Sequence, residues 1–460
     1  MSGQVVDRAA KFGEAKRRRK RPGPAPVFLL LGMGMLDRYF GLTRAGTDAR
    51  REIIAGVTIF FTMAYILFVN PQILKAAGMD AGAVFMATAL SAALTTAMMG
   101  LFANLPVALA PGMGQNAYFA FTVVPLLAGD WRLALGCVFI SGILFVGLSV
   151  SPAREWFINA IPQSQKRAIG AGIGFFLALI GFEGAGVIAA SKDTLLQPGN
   201  LADPKVLIAG AALALIAALW QRKVIGAVLI GILAATIASM ALRLSPIPAL
   251  AAAPPSLAPT FMQMHFHGAS MSAITGVVLV FLLLDLLDTS GTLTAVGHQA
   301  GLMENGRLRN ARKALVSDAA GTMVGAVLGT SPVTAYIESA AGTGGRTGLV
   351  AVTVALLFVA AMVFAPLAGA VPAYATAPAL IFVAALFAKD MKDIPWDDIS
   401  EALPALVTAL AIPLTFSIAE GIGLGFVTYV AIKLLCGRWR EIGPGVAVVA
   451  AAFIAKVALS

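Results

Sequence analysis

The chain has 460 residues, of which 59% are hydrophobic and 12% are charged, and its formal net charge is +10. A soluble globular protein is closer to half apolar and a quarter charged. Apolar runs of about 20 residues, long enough to cross a bilayer core of roughly 30 Å, recur along the chain. We therefore predict an all-α integral membrane protein with many spans, and this composition excludes a soluble globular protein.

The surplus of basic residues lies at the ends of the apolar runs, where Lys and Arg determine membrane topology, so we expect no nucleic-acid partner. Cys137 and Cys436 both lie in apolar surroundings and offer neither a disulfide framework nor a metal-binding spacing. The pair His265 and His267 has no further ligands nearby in the sequence. We accordingly expect no metal site and no cofactor.

Residues 1–25 are polar and include the basic run Lys16–Pro22, KRRRKRP, which favours the cytoplasmic side and attracts anionic lipid. We expect no cleavable signal peptide, because the basic tail is long and the first apolar run, Val27–Leu36, is short. Residues 1–50 are therefore interpreted as a cytoplasmic tail with an interfacial segment.

The basic residues that follow lie in alternate connections, which predicts both termini on the cytoplasmic side of the plasma (inner) membrane. Residues 244–270, predicted to be external, contain no Lys or Arg. The last apolar stretch, Gly443–Leu459, is interpreted as a peripheral helix, since a fifteenth span would place the C-terminus outside. The fourteen predicted segments lie near residues 52–72, 82–103, 107–127, 132–150, 168–188, 206–220, 224–243, 271–294, 314–329, 332–344, 347–368, 374–388, 400–416 and 419–436.

Two of these segments, the third and the tenth, are interrupted by Gly and Pro in matching ways. Pro106–Phe121 and Pro332–Arg346 both open on Pro-Val, and aligning the prolines places Thr96 opposite Thr322. Further landmarks keep the same order in both halves, so we predict a repeat of seven segments. An odd number of crossings places the second half upside down relative to the first. Such paired interruptions point to a transport site.

Ionisable residues inside a bilayer are candidates for function. Asp288 and Glu338 are the two acids we expect to act. Asp285 shares a helical face with Asp288, and two neighbouring carboxyls would not both ionise easily, so one could carry a proton. Asp318 is expected near the cytoplasmic end of the ninth segment, and Glu183 is interpreted as an interfacial residue.

Asn116 is the polar residue of the third segment, and Tyr118 and Phe119 follow it. An amide both donates and accepts hydrogen bonds. Together with carboxyls and aromatic rings it suits a planar, neutral ligand rich in heteroatoms, and it suits a simple anion badly. Three aromatic residues of the first segment are interpreted as core packing: Phe60, Phe61 and Tyr65.

From about residue 36 to 440 the sequence resembles the AzgA-like guanine/hypoxanthine permeases, a branch of the nucleobase–cation symporter-2 (xanthine/uracil permease) family. The stretch Gly329–Gly342, GTSPVTAYIESAAG, is the most specific. The other resembling stretches are Gly56–Leu74, Ala110–Phe121, Asp285–Leu293 and Pro372–Ile381.

This resemblance implies a purine:proton symporter with fourteen transmembrane segments in 7+7 inverted repeats and short antiparallel strands in segments 3 and 10. It implies a core domain of segments 1–4 and 8–11 and a gate domain of segments 5–7 and 12–14. The corresponding ranges are residues 51–152 and 246–368 for the core domain, 153–245 and 369–440 for the gate domain, and 441–460 for the peripheral helix.

The resemblance also implies the site residues. The substrate-binding candidates are Asp288, Glu338, Asn116, Thr334 and Tyr336. The proton-coupling candidates are Asp288, Glu338, Asp318 and Asp285. Either Asp285 or Asp288 is the eighth-segment ligand, and Gln115 stands where an apolar residue is expected. The implied partners are a purine base, a proton, membrane lipid and a second copy of the chain.

The leading hypothesis is thus a proton-coupled importer of guanine and hypoxanthine or of adenine, working by alternating access. The alternatives are an anion carrier of the sulfate or bicarbonate type and a uracil/xanthine permease on the same fold. A membrane enzyme or sensor is disfavoured, because the sequence offers no nucleophile, metal cluster or soluble output domain. A channel is disfavoured by the interrupted inverted repeats.

Overall fold

The computed structural model describes residues 27–151, 161–191, 194–247, 253–304, 307–341 and 344–459. The basic run Lys16–Pro22 and the predicted cytoplasmic connection around Arg154 lie outside the described residues. Within these described ranges, nine helices are long and apolar enough to cross a membrane.

The first half of the chain begins with α1, which contains the short apolar run at its start. A break at Ala64 and Tyr65 divides the first predicted span into α2 and α3. The elements are α1 (Val27–Phe40), α2 (Ala49–Met63), α3 (Ile66–Ala76), α4 (Ala81–Met98) with a π-helical end (Met99–Ala103), β1 (Leu109–Pro111), α5 (Met113–Ala117), a π-helical turn (Tyr118–Val123), α6 (Val124–Leu126), α7 (Trp131–Val150), α8 (Gln163–Gly184), β2 (Ile188–Ser191), β3 (Leu195–Pro198), α9 (Pro204–Gln221) and α10 (Ala227–Ala241).

The second half begins with the longest helix of the described residues, and one of its short strands follows Pro332. Its elements are α11 (Met271–Gln299), β4 (Met303–Glu304), β5 (Arg307–Leu308), α12 (Ala311–Leu328), β6 (Val333–Ala335), a 3-10 helix (Ile337–Ala341), α13 (Gly348–Ala361), a 3-10 turn (Met362–Phe364), α14 (Ala365–Ala370), α15 (Ala373–Ala388), a 3-10 helix (Lys389–Asp393), α16 (Ile399–Leu414), α17 (Ile418–Leu435), a 3-10 helix (Trp439–Glu441) and α18 (Pro444–Leu459).

Five of the fourteen predicted segments are not among the nine long apolar helices, and each has an identifiable reason. Two are shorter apolar helices, α10 and α16. One is α12, which contains three charged residues, Arg312, Lys313 and Asp318. The remaining two are the interrupted segments, where Gly and Pro end the helical hydrogen bonding and a strand replaces it.

The two short strands pair with each other, antiparallel, with Ala110 opposite Thr334. Beyond the strands, the Gly112 amide donates to the Pro332 carbonyl and the Tyr336 amide donates to the Ala108 carbonyl, each at 3.0 Å. Backbone groups in a membrane protein need internal partners, and this pairing supplies them at the two breaks. The predicted antiparallel strands of segments 3 and 10 are confirmed.

The helices associate in two groups. In one, α12 packs against α7, and α13 packs against α2 and α4. In the other, α8 packs against α15 and α16, and α16 packs against α17. The helices approach closely where glycine meets glycine: a Cβ on Gly348 would lie 1.9 Å from the carbonyl oxygen of Gly100.

Candidate functional site

The candidate site lies where the strand pair β1–β6 meets α11, and we call it the paired-strand site. It comprises Asp288 on α11, Thr334 and Tyr336 in or beside β6, Glu338 on the following 3-10 helix, and Asn116 on α5. The sequence separates these residues widely, and the pairing of β1 with β6 brings the two breaks together.

Glu338 is half-buried, and its Oε1 accepts a 2.7 Å hydrogen bond from the hydroxyl of Tyr65 at the break between α2 and α3. The prediction that the first-segment aromatics pack in the core holds for Phe60, whose ring lies 5.2 Å from that of Phe358, and for Tyr65, which is 1% exposed in the main hydrophobic cluster. Phe61 differs, because it is 46% exposed. The Tyr65 hydroxyl has the additional role of bonding to Glu338.

The two acids of α11 have different surroundings. Asp285 is 1% exposed, and it accepts hydrogen bonds from Gln115 Nε2 at 3.2 Å and from Thr322 Oγ1 at 2.8 Å. Asp288 is half-buried and interacts with the Thr334 hydroxyl and with Glu338. Of the two acids on α11, Asp288 is thus the one that is partly accessible, as Glu338 is, while Asp285 is enclosed in the protein interior.

A chain of hydroxyl groups joins the site to a third acid. Thr289 donates to Asp318 Oδ2 at 2.6 Å, and its oxygen lies 2.9 Å from that of Thr334. Asp318 is fully buried and lies well inside α12. The expectation that Asp318 sits near the cytoplasmic end of its span stays a prediction, and the structure adds that the side chain is enclosed by protein.

Asn116 is fully buried, and its Oδ1 accepts a 2.5 Å hydrogen bond from Ser331. Its Nδ2 donor finds no partner among the described residues. The neighbouring Tyr118 ring packs edge-on against Phe281 at 4.9 Å, so this ring belongs to the core and not to an open surface. The amide therefore retains an unused NH2 group, with two N–H donors, on α5.

Tyr336 is buried, and its hydroxyl donates to the Pro111 carbonyl at 2.6 Å. In this conformation Tyr336 links β6 to β1 through its side chain as well as its backbone. Thr334 is 2% exposed and sits at the centre of β6. The strand therefore brings Thr334 against Asp288, while Tyr336 fixes the strand in place.

A model of the permease family matches residues 50–424 of the chain. The chain belongs to the permease family. It is 49% identical to a putative permease of Methanocaldococcus jannaschii over 89% of this chain and 95% of that one. It is 45% identical to the adenine permease AdeP of Escherichia coli K12, over 93% and 96%. It is 43% identical to the guanine/hypoxanthine permease PbuG of Bacillus subtilis, over 89% and 96%.

The fold of the permease is similar to that of the transmembrane domain of a cyanobacterial bicarbonate transporter, BicA. The TM-score is 0.61 at 17% identity, covering 80% of this chain and 95% of that one. The helical membrane architecture is thereby shown. At this identity the likeness concerns the fold alone.

On one side of the paired-strand site the permease has a cavity of about 130 Å³. It begins next to Glu338, at Ser339, and reaches the end of α11. Its other lining residues are Pro106, Val296, Gln299, Ala300, Ala340, Gly344 and Gly345.

Away from this cavity, two hydrogen bonds link the first half of the chain to the ends of α15 and α16, and we call them the closed-side contacts. Thr122 donates to the Phe416 carbonyl, and Gln72 Nε2 donates to the Val371 carbonyl, each at 2.8 Å. The Phe176 ring on α8 lies 5.7 Å from that of Phe416 in an edge-on contact. None of these residues lines the cavity.

Other predicted residues lie away from the site. Glu183 is exposed at the end of α8, as expected for an interfacial residue. His265 forms a contact of 2.9 Å with Asp130 Oδ2. The described part of the chain contains no group of three side chains suited to a metal ion.

Sequence reasoning missed three polar residues that the permease places around its buried acids: Gln115, Thr289 and Thr322. The sequence contained a signal for two of them, Thr289 and Thr322. Thr289 follows Asp285 by one helical turn, and Thr322 aligns with Thr96 in the repeat. Gln115 was noticed only as an unexpected polar residue, and its contact with Asp285 depends on the strand pairing.

Proposed function

We propose that the permease is a proton-coupled symporter that imports purine bases. The observation that carries this proposal is the pair of half-buried acids, Asp288 on α11 and Glu338 beside β6, which are close enough to interact electrostatically. The edge of a purine presents ring N–H groups and ring nitrogens, which carboxyls and amides bind by hydrogen bonds. The unused Nδ2 donor of Asn116 adds to this set.

The relatives support a purine over other substrates. Those at 43–45% identity over nearly the whole chain include an adenine permease and guanine/hypoxanthine permeases. An anion carrier is the second candidate on this fold. Two acids facing one space would repel a simple anion, so the chemistry of the site argues against it.

For the architecture we propose fourteen membrane segments in 7+7 inverted repeats, with both termini in the cytoplasm. The two groups of helices support a core domain (residues 51–152 and 246–368) that moves against a gate domain (residues 153–245 and 369–440). We also propose that the permease is a homodimer in the plasma membrane, in contact with the surrounding lipid. Residues 441–460 would lie at its periphery.

Alternating access is the proposed mechanism. The closed-side contacts lie between the proposed domains on the side predicted to be external, and the cavity beside Glu338 lies on the side predicted to be cytoplasmic. This arrangement supports an inward-facing state. Movement of the core domain would break the closed-side contacts and carry the bound base past the gate domain.

Proton coupling is proposed to involve Asp288, Glu338, Asp285 and Asp318. Hydroxyl groups connect these acids, since Thr289 contacts both Asp318 and Thr334. Acids that share a site in low dielectric do not all ionise together. A proton that neutralises one of them would therefore enter with the base.

The test is uptake of radiolabelled hypoxanthine, guanine and adenine by cells that lack their own purine permeases. We expect saturable uptake that an uncoupler abolishes. Unlabelled uracil, xanthine and sulfate should not reduce this uptake. Uptake of sulfate without uptake of any purine would favour the anion carrier. Competition by both uracil and xanthine would favour the uracil/xanthine permease, since xanthine is itself a purine and uracil is not.

A further inference from the structure

The hydroxyl group of Thr322 lies between two acceptors but has only one proton to donate. Its Oγ1 is 2.8 Å from Asp285 Oδ2 and 3.0 Å from the carbonyl oxygen of Val333 in β6. All three residues are at least 99% buried. The protonation state of Asp285 therefore decides which acceptor Thr322 can serve.

The Val333 carbonyl depends on Thr322 because it faces away from β1. Antiparallel strands alternate hydrogen-bonded pairs with pairs that are not hydrogen-bonded. Gly112 bonds to Pro332, and Tyr336 bonds to Ala108. In that alternation Pro111 and Val333 form a pair without hydrogen bonds. A buried carbonyl without a partner is costly, so the Thr322 hydroxyl matters to β6.

We propose that Thr322 couples the proton on Asp285 to the hydrogen bonding of β6, the strand that holds Thr334 in the paired-strand site. This inference rests on the proposed proton-coupled transport of purines. When Asp285 is ionised, its carboxylate is the stronger acceptor and takes the Thr322 hydrogen bond. The Val333 carbonyl is then left without its partner.

When Asp285 is protonated, its own O–H donates to Thr322 Oγ1, and the Thr322 hydroxyl donates to the Val333 carbonyl. No proton leaves Thr322 in either state. Gln115 Nε2 holds Oδ1 of Asp285 in both states, which leaves Oδ2 to carry the proton. The strand β6 is therefore fully hydrogen-bonded only when Asp285 carries a proton.

Coupling of this kind is reciprocal. A proton on Asp285 stabilises β6 in the form that presents Thr334 to a base, and a bound base in turn favours the proton. The other titratable groups that face Asp285 are Asp288 on the same helix and Asp318 on α12. Because they titrate as well, the test must isolate the contribution of Thr322.

The test measures binding of radiolabelled hypoxanthine, guanine and adenine to the purified full chain between about pH 5 and about pH 9. Thr322→Val removes the hydroxyl while keeping the shape. We expect the affinity of Thr322→Val at acid pH to fall to the value that the wild type has at alkaline pH. The expected decrease is about 2- to 10-fold, which corresponds to the loss of one hydrogen bond. Thr322→Ser should retain the pH dependence of the wild type.

The repeat provides a matched control. Thr96, opposite Thr322 in the aligned halves, donates to the Leu109 carbonyl and accepts from the Leu109 amide, each at 2.9 Å. The Thr96 hydroxyl bonds to β1 in the same way as the Thr322 hydroxyl bonds to β6. Unlike Thr322, Thr96 has no hydrogen bond to an acid among the described residues. Thr96→Val should therefore lower affinity by the same factor at every pH.

Asp285→Asn tests the inference without touching Thr322. The amide oxygen can accept from Gln115 while the amide nitrogen donates to Thr322, which reproduces the protonated arrangement. We expect affinity at alkaline pH to rise to the acid value. If Thr322→Val and Asp285→Asn, both monodisperse in detergent, keep the wild-type pH dependence, the inference is overturned while purine binding stands. If the wild type binds no purine at any pH, the proposed function fails first.

Discussion

The Tyr65 hydroxyl donates a 2.7 Å hydrogen bond to Glu338, so the break in the first predicted span supports the acid of the tenth. We expect Tyr65→Phe to raise KM for purine uptake about 10-fold or more, the effect of losing a hydrogen bond to a charged group. Tyr39→Phe is the control, because the Tyr39 hydroxyl donates to the Leu101 carbonyl at an exposed position. Equal KM values for both variants and the wild type would contradict this role.

The two half-buried acids should be essential for transport. We expect Asp288→Asn and Glu338→Gln each to abolish purine uptake while the protein still reaches the membrane in normal amounts. Glu183→Gln removes an exposed acid at the end of α8 and should leave uptake unchanged. Normal uptake by both site variants would mean that other carboxyls bind the base.

The closed-side contacts should bias the permease toward its inward-facing state. Thr122→Val removes the hydrogen bond to Phe416, which is worth about 1 kcal/mol, or about fivefold in the conformational equilibrium. The readout is maleimide labelling of Ala300→Cys, in the cavity, in a Cys436→Ser background. Labelling in inside-out vesicles should slow with Thr122→Val.

The control for this experiment is Thr428→Val, because the Thr428 hydroxyl bonds only within its own helix, to the Leu424 carbonyl. Its labelling rate should equal that of the parent. Faster labelling of Ala300→Cys in the Thr122→Val protein would contradict this role, because it would mean that the contact favours closure of the cavity.

The approach of Gly100 and Gly348 leaves no room for a side chain. Gly348→Ala would place a Cβ 1.9 Å from the Gly100 carbonyl, so the backbones must separate. We expect a loss of about 1–3 kcal/mol in stability, as is usual for overpacking, and a lower Tm in detergent. Gly276→Ala is the control, since a Cβ there meets nothing within 4 Å. An unchanged Tm for Gly348→Ala would contradict the close packing.

The loop before α16 offers a test by pH. Hydrogen bonds from Ser400 and Arg438 lower the pKa of Asp398 to about 2, from an ordinary value of 3.8. A carboxyl with a lowered pKa stabilises the fold above its ordinary pKa, and this contribution is lost as the pH falls from 3.8 toward 2. The Tm of the wild type should fall in that window.

Asp398→Asn should have a lower Tm than the wild type at neutral pH and a smaller loss on acidification. Asp397→Asn, which changes the adjacent exposed acid, should behave like the wild type. If the Tm of Asp398→Asn falls as steeply with acid as that of the wild type, the ion pair with Arg438 does not stabilise the fold.

Apolar periodicity predicted the helices well, because membrane spans need long apolar runs: the predicted segment at 206–220 is α9, and that at 400–416 is α16. The prolines at 106 and 332 predicted the two breaks for an equally local reason. The sequence could not predict the break at Ala64 and Tyr65, where no Pro or Gly interrupts the run.

The candidate site was harder to predict, because its geometry depends on contacts between distant parts of the chain. Spacing placed Asp285 and Asp288 on one helical face, but only the packing of α12 and α5 around Asp285 buries one acid and leaves the other accessible. The hydrogen bond from Thr289 to Asp318 could not be predicted either, because the two residues lie on different helices and 29 positions apart.

The strand pair also constrains how the chain is made. Tyr336 bonds to a carbonyl 225 positions earlier in the chain. At ordinary ribosomal rates β1 waits on the order of 10–40 s for its partner to be synthesised. Until then β1 lacks the partner strand, although the Leu109 amide and carbonyl can already bond to Thr96, which precedes them in the chain. The paired-strand site can therefore form only after almost three quarters of the chain has been synthesised.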